Sequence, residues 1–235
     1  MRIGGFQKNS MIDFPGLISS VIFTAGCNFV CPYCHNPYLV GKIKPGGGEF
    51  IDQGEIFSFL KKRRGLIDGV VITGGEPTLQ PGLEQFMVNI KELGFSVKLD
   101  TNGTRPETVE AFIQKGIVDY IAMDIKTSIE GYHLVAGDGF DSGTVAATIA
   151  IIMEQALDYE FRTTCVKPLI DQQKMDKIGG MIKGARRYIL QPCSRNVTML
   201  NPLFFEQGER FFSRDEMLAL KARVEPWVNE CRIRS

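Results

Sequence analysis

The sequence predicts an α/β fold in which six parallel strands alternate with helices, either as a barrel or as an open doubly wound sheet. Two observations lead there. Short β-type runs recur between residues 17 and 190, and between them apolar residues return at helical spacing with capping residues at the ends. A third bounds the size: 235 residues, 44% of them hydrophobic, with no Pro/Ser-rich linker or internal repeat, are enough for one large core.

The first strand is expected at residues 17–24 (LISSVIFT). The glycine-rich segment 42–48 (KIKPGGG) lacks both GxGxxG and a GxxxxGK motif, so it reads as a flexible loop and not a phosphate cradle. Asp52 and Glu55 are spaced as a capping box before Ile56, Phe59 and Leu60. A second strand follows at 69–73 (GVVIT). Leu83, Phe86, Met87, Ile90 and Leu93 then keep helical spacing up to Gly94, a C-cap glycine. After a third strand at 95–100 (FSVKLD), Pro106 opens a helix carrying Val109, Phe112 and Ile113 and closing at Gly116. Strands are expected at 120–124 (YIAMD), 160–166 (EFRTTCV) and 187–190 (RYIL), with helices at 144–156 and 174–183. From residue 196 the alternation stops. Ser213 and Glu216 are spaced to cap a last helix reaching Val228, with Pro226 straining its final turn. The expected organisation is one domain over 1–195 with a C-terminal extension, 196–235, packed on it.

Charge narrows the function. With 27 basic and 27 acidic side chains, the chain has no electrostatic footprint for nucleic acid or an anionic membrane. The N-terminal stretch MRIGGFQKNSMIDF has no apolar signal region, and no apolar run approaches the roughly 18 residues of a membrane helix. A soluble, cytoplasmic protein is expected. Of six cysteines, Cys27, Cys31 and Cys34 crowd together, a spacing that in such a chain favours metal or redox chemistry over disulfides. Cys165, Cys193 and Cys231 lie far apart and are expected to be small buried apolar residues.

Cys27-Asn-Phe-Val-Cys31-Pro-Tyr-Cys34 is the most specific feature. Three thiolates on one loop can hold three irons of a cubane and leave the fourth open to a chelating substrate. Two other readings compete. Cys31-Pro32-Tyr33-Cys34 alone is a CPYC dithiol, but that leaves Cys27 idle. Structural zinc could recruit His35, although adjacent residues seldom reach one tetrahedral ion without strain. Elsewhere, Gly74-Gly75-Glu76-Pro77, Asp100-Thr101-Asn102-Gly103 and Met123-Asp124-Ile125-Lys126 follow the C-terminal ends of successive strands, where parallel α/β folds place their sites. Two glycines would let a ligand approach the backbone, and Glu76 can accept from an ammonium group. Each motif alone is an ordinary turn; together on one rim they read as a site.

In CNFVCPYCHNP, VVITGGEPTLQ, LDTNG and DYIAMDIK the sequence resembles the radical S-adenosylmethionine enzymes, and among them the activases of glycyl radical enzymes. The resemblance runs from about Met11 to Gln191. It implies an incomplete TIM-type barrel of six βα units with one 4Fe–4S cluster on Cys27, Cys31 and Cys34. Reductive cleavage of S-adenosylmethionine there would give a 5′-deoxyadenosyl radical that takes hydrogen from a partner's glycine. By the same resemblance Gly74, Gly75 and Glu76 receive the amino group, Tyr33 lies against the adenine, and Thr101, Asn102, Lys126 and Arg162 lie near the ribose and carboxylate. Asp100, Thr101, Asp124 and the carbonyl of Ala122 would coordinate a monovalent cation. The implied partners are a large glycyl radical enzyme, foremost anaerobic ribonucleoside-triphosphate reductase, and a flavodoxin- or ferredoxin-type electron donor. Residues 35–73 contain no cysteine, so a second cluster is not expected. The alternatives are a small-molecule enzyme such as a carboxy-deazaguanine synthase, an activase of another glycyl radical enzyme, a thiol–disulfide oxidoreductase, and more remotely a zinc-stabilised module.

Overall fold

The computed structural model describes residues 1–41, 49–137 and 139–234; the expected glycine-rich loop at 42–48 lies outside them. One sheet of eight strands runs in chain order: β1 (Ile3–Ser10), β2 (Ser19–Thr24), β3 (Gly69–Gly74), β4 (Ser96–Thr101), β5 (Tyr120–Asp124), β6 (Tyr159–Cys165), β7 (Tyr188–Pro192) and β8 (Cys231–Ile233). β2 to β8 are parallel, and β1 is antiparallel to β2. Among the described residues β1 and β8 do not pair, so the barrel is incomplete.

The six expected strands form β2 to β7. β1 and β8 were not anticipated and extend the six-stranded unit by one strand at each edge. β1 (IGGFQKNS) is an edge strand with its middle exposed, so it carries no apolar alternation. β8 is three residues long, too short to show a period.

The helices are α1 (Pro37–Val40), α2 (Gln53–Lys62), α3 (Leu83–Glu92), α4 (Pro106–Gln114), α5 (His133–Ala136), α6 (Gly143–Gln155), α7 (Gln172–Met181), α8 (Pro202–Glu206) and α9 (Arg214–Val224). Asp52 caps α2 by accepting from the N–H groups of Gly54 and Glu55. Ser213 and Glu216 make the full reciprocal box that starts α9. α9 stops before the expected Val228 because Pro226 has no N–H to continue the ladder, and Glu225–Trp227 tightens into a 3-10 turn.

Period-two alternation divides the sheet into two environments. Ile22, Val70, Ile72, Val97, Leu99, Ile121, Met123, Phe161 and Leu190 face the helices and form the main core. Cys165, Cys193 and Cys231 are buried in that core and unpaired, as expected. On the inner face, Phe14, Val21, Val71, Tyr120 and Ala122 form a small second cluster. Charged residues share that face. Lys98 and Asp100 alternate with Val97 and Leu99 along β4, and Glu160 and Arg162 flank Phe161 on β6.

The tail is tied into this inner layer. The Glu160 carboxylate, 1% exposed, accepts from the Tyr120 hydroxyl at 3.1 Å and from both terminal nitrogens of Arg234 at 3.1 and 2.9 Å. Arg234→Met is expected to cost about 1–3 kcal/mol, the penalty of a buried acceptor left short of a partner. Breaking a fully buried pair would cost more, but the Arg234 side chain is 39% exposed. Adding Glu160→Gln should recover part of the loss in urea unfolding midpoints.

Candidate functional site

The cysteine loop begins where β2 ends, and its two ends are sewn together. The Gly26 N–H donates to the Leu39 carbonyl at 2.6 Å and the Cys27 N–H to Val40 at 3.2 Å, so α1 returns the chain to its starting point. Within the loop the Cys34 N–H donates to the Cys31 carbonyl at 3.0 Å, and the Phe29 N–H to the Cys27 sulfur at 3.4 Å. Phe29 anchors the loop by packing its ring against Tyr132 and Phe140.

The end of β3 lies directly against this loop. The Gly75 N–H donates to Thr24 at 2.8 Å and the Glu76 N–H to Gly26 at 2.9 Å. Gly74 has φ +116°, and a Cβ there would sit 2.4 Å from the Thr24 backbone; a Cβ on Gly75 would sit 2.2 Å from the Gly26 carbonyl oxygen. The two glycines line the cavity, and the protein's own backbone at Thr24 and Gly26 already excludes a side chain at either position.

Glu76 is buried and holds the next loop in place. Its Oε1 accepts from the Thr78 N–H at 3.1 Å, the Thr78 hydroxyl at 2.5 Å and the Thr101 hydroxyl at 2.8 Å, while Oε2 accepts from the Asn102 N–H at 2.7 Å. Burial nevertheless pushes its carboxyl above the ordinary glutamate value, against the pull of these hydrogen bonds. Asn102 donates to Asn28 in the cysteine loop at 2.9 Å, and Asn28 donates to the Thr104 hydroxyl at 2.8 Å. This Asn28–Asn102–Thr104 link was not anticipated.

One cavity collects most of the expected residues: Cys27, Cys31, Cys34, Tyr33, Gly74, Gly75, Glu76, Asp100, Thr101, Asn102, Asp124 and Lys126. His35, weighed above as a zinc ligand, also lines it, as do Asn36 and Thr164, which carried no sequence signal beyond their neighbours. Arg162 does not line it. It was expected near a ribose or carboxylate, but its Nε donates to Asp124 Oδ1 at 2.8 Å and its Nη1 to Asp100 Oδ2 at 3.2 Å, clamping the two aspartates together. Lys98 holds the other oxygen of Asp100 at 2.5 Å, and Lys126 the other oxygen of Asp124 at 3.1 Å. The aspartate oxygens expected on a monovalent cation therefore face protein cations. Ala122 is buried in the inner cluster beside them.

These contacts set the electrostatics. Burial would raise both aspartates, but Arg162 with Lys98 brings Asp100 below the ordinary value, and Arg162 with Lys126 holds Asp124 far below it. Burial opposes the charge on Lys126, yet Asp124 and the adjacent Cys31 raise its affinity for the proton. Burial pushes the Cys27 thiol up to about 11 and the Cys31 thiol up to about 12. Both are protonated at neutral pH until a metal displaces the proton.

The donor set fits an iron–sulfur cubane. Among the described residues no three His, Cys, Asp or Glu side chains converge on a single ion, and a cubane does not ask for that, since each thiolate takes a different iron at a different corner. The Tyr33 hydroxyl beside the cysteines is buried without a hydrogen-bond partner, an orphaned polar atom at the cavity wall.

Two outcomes are expected. Gly75→Ala drives a methyl into the Gly26 carbonyl, so urea unfolding should show a loss of about 1–3 kcal/mol, with reduced iron uptake on anaerobic reconstitution. For the metal-free protein, the depressed aspartates contribute stability above the ordinary value near 3.9, lost as pH falls toward their lower folded values. Asp124→Asn should be about 1–3 kcal/mol less stable at pH 7 and show a flatter decline below pH ~4 when unfolding midpoints are followed across pH.

The profile of the Radical SAM superfamily matches residues 21–183. MJ1227 of Methanocaldococcus jannaschii, whose name assigns it to the glycyl-radical enzyme activating enzymes, is 34% identical over 194 residues, covering 80% of this chain and 78% of that one. The pyruvate formate-lyase-activating enzyme of Clostridium pasteurianum is 31% identical over 147 residues, 59% of this chain and 58% of its own length. That of Staphylococcus aureus is 36% identical over 132 residues, 52% of each chain. The match therefore spans little more than half of these two relatives. Among solved structures, SuiB of Streptococcus suis bound to S-adenosylmethionine has a TM-score of 0.66 at 14% identity, over 90% of this chain and 49% of that one. An archaeal TYW1 has a TM-score of 0.54 at 14% identity, over 89% and 72%. These two share the fold. No described helix is long and apolar enough to cross a membrane. The superfamily works with a 4Fe–4S cluster and S-adenosylmethionine. By its sequence match and by the sheet that carries its cysteine loop, this chain belongs to the Radical SAM superfamily.

Proposed function

We propose that this chain is an activase that installs a glycyl radical on a large protein partner, foremost an anaerobic ribonucleoside-triphosphate reductase. The observation that carries the reading is the single cavity into which the CxxxCxxC loop, the Gly-Gly-Glu end of β3 and the Asp-Thr-Asn end of β4 all open. Its relatives named as activating enzymes support the partner class. When bound, the cluster supplies one electron and S-adenosylmethionine a carbon radical competent to take hydrogen from a C–H bond.

The chain's own residues bind and orient. Cys27, Cys31 and Cys34 are the three cluster ligands. Glu76 Oε2, with one hydrogen bond from Asn102, keeps a lone pair for an ammonium group, and the charge of such a group offsets the cost of burying the carboxylate. Glu76 holds the Thr101 hydroxyl and the Asn102 backbone N–H, while the Asn102 side chain is held by Asn28 and Thr104. Lys126 lines the same cavity and brings it a cation for the carboxylate of the same ligand. Tyr33 offers its ring to the adenine.

The rim supports a macromolecular target. Val30 in the cysteine loop, Leu134 in α5 and Leu203 in α8 are 58%, 48% and 63% exposed on segments that adjoin one another, since the Val30 N–H bonds Val135 and the Asn201 N–H bonds Pro32. Such exposed apolar side chains on and beside the cysteine loop suit contact with a protein surface. A flavodoxin- or ferredoxin-type protein is the proposed electron donor. A dithiol oxidoreductase fits less well: the leading cysteine of such a motif needs a depressed pKa, and burial pushes Cys31 the other way.

The test places deuterium on the loop glycine of the candidate reductase. Deuterium should appear in 5′-deoxyadenosine, and the partner should show a glycyl radical by paramagnetic resonance. Deuterium arriving from a small molecule, with no protein radical, would support a small-molecule enzyme instead.

A further inference from the structure

We propose that Lys98 replaces a bound monovalent cation in this site, its ammonium holding Asp100 in place for a ligand carboxylate. The proposal rests on reading the cavity as a site for S-adenosylmethionine. It departs from the expectation that Asp100 and Asp124 share a metal ion with that carboxylate.

Three observations carry it. First, all four oxygens of Asp100 and Asp124 already accept from a cationic nitrogen: Lys98, Arg162 twice, and Lys126. Hard cations such as potassium are held by several oxygen ligands, and here those oxygens point at N–H groups. Second, three cations face two carboxylates, leaving one positive charge in surplus. A ligand carboxylate neutralises that surplus, whereas an added cation would double it beside largely desolvated side chains. Third, Lys98 is built in. It is 1% exposed and lies on the same face of β4 as Asp100, two residues away. Its register partner Tyr120 places its ring 6.0 Å from the ammonium, a face that favours a cation. An unpaired lysine at such depth would be expensive, so the ammonium and Asp100 hold each other.

Lys98 touches Asp100 and does not line the cavity, so its role is positioning. The ammonium is covalently fixed, and the site should be indifferent to the salt around it. The test measures binding of S-adenosylmethionine to the reconstituted protein by equilibrium dialysis in potassium, sodium and choline chloride at equal ionic strength. In parallel, thallium(I), a potassium mimic, is titrated and followed by thallium NMR with and without S-adenosylmethionine. The expected result is the same affinity in all three salts and no bound thallium. Lys98→Met, which opens the position, should bind about tenfold more weakly in choline, recover in potassium, and show a bound thallium resonance. A wild-type affinity that rises severalfold from choline to potassium, or thallium bound to the wild type, overturns the proposal. If Lys98→Met does not fold, the wild-type measurements decide. Failure to bind S-adenosylmethionine in any salt would sink the reading of the cavity instead, and the thallium titration would still decide whether an ion sits beside Asp100.

Discussion

Where β2 and β3 end side by side, Gly74 and Gly75 bring their backbone within hydrogen-bonding reach of Thr24 and Gly26, closer than any Cβ would permit. This contact joins the cysteine loop to the Glu76 loop. Glu76 in turn gathers the N–H of Asn102 and the hydroxyl of Thr101 from the end of β4, and Asn102 returns to Asn28 among the cysteines. The three loops thus form a closed circuit of hydrogen bonds that shares one buried carboxylate. A circuit of this kind costs more to break at one point than a single pair suggests, because each released donor is left buried. It holds the cysteines and the cavity wall in fixed relation before any cofactor arrives.

The incomplete barrel gives the second half of the site its character. A closed eight-unit barrel fills its interior with layers of side chains. Here the inner face carries only a small apolar cluster, and toward the cavity it becomes ionic, with Lys98, Asp100, Asp124, Arg162 and Glu160 on adjacent strands. Buried ion pairs contribute little net stability once desolvation is counted. Their effect is geometric: Arg162 fixes the spacing of two aspartates on neighbouring strands, and the surplus positive charge gives the cavity a preference for an anionic group. The tail joins this arrangement through Arg234 and Glu160, so the edge formed by β8 connects to the chemistry by one ion pair.

The local patterns of the sequence determined the six parallel strands, most helix boundaries and the loop that bears the cysteines. Each depends on neighbours in sequence: alternation along a strand, a cap beside a helix, three thiols within eight residues. The motifs at the strand ends were legible as a rim for the same reason. Lys98 was visible as a lysine inside a strand of a parallel sheet, where a continuous apolar run is the rule, yet nothing local said what it would meet. β1 and β8 escaped because an exposed edge strand and a three-residue strand carry no period. Only the tertiary structure decided that Gly74 and Gly75 are small for the sake of Gly26 and Thr24, and that Arg162 belongs to Asp100 and Asp124. Those pairings join residues far apart in the chain, Arg162 and Asp100 being 62 positions apart. Which charges neutralise one another is settled by the strand order and register that bring them to one face, and a single sequence does not encode that in any local pattern.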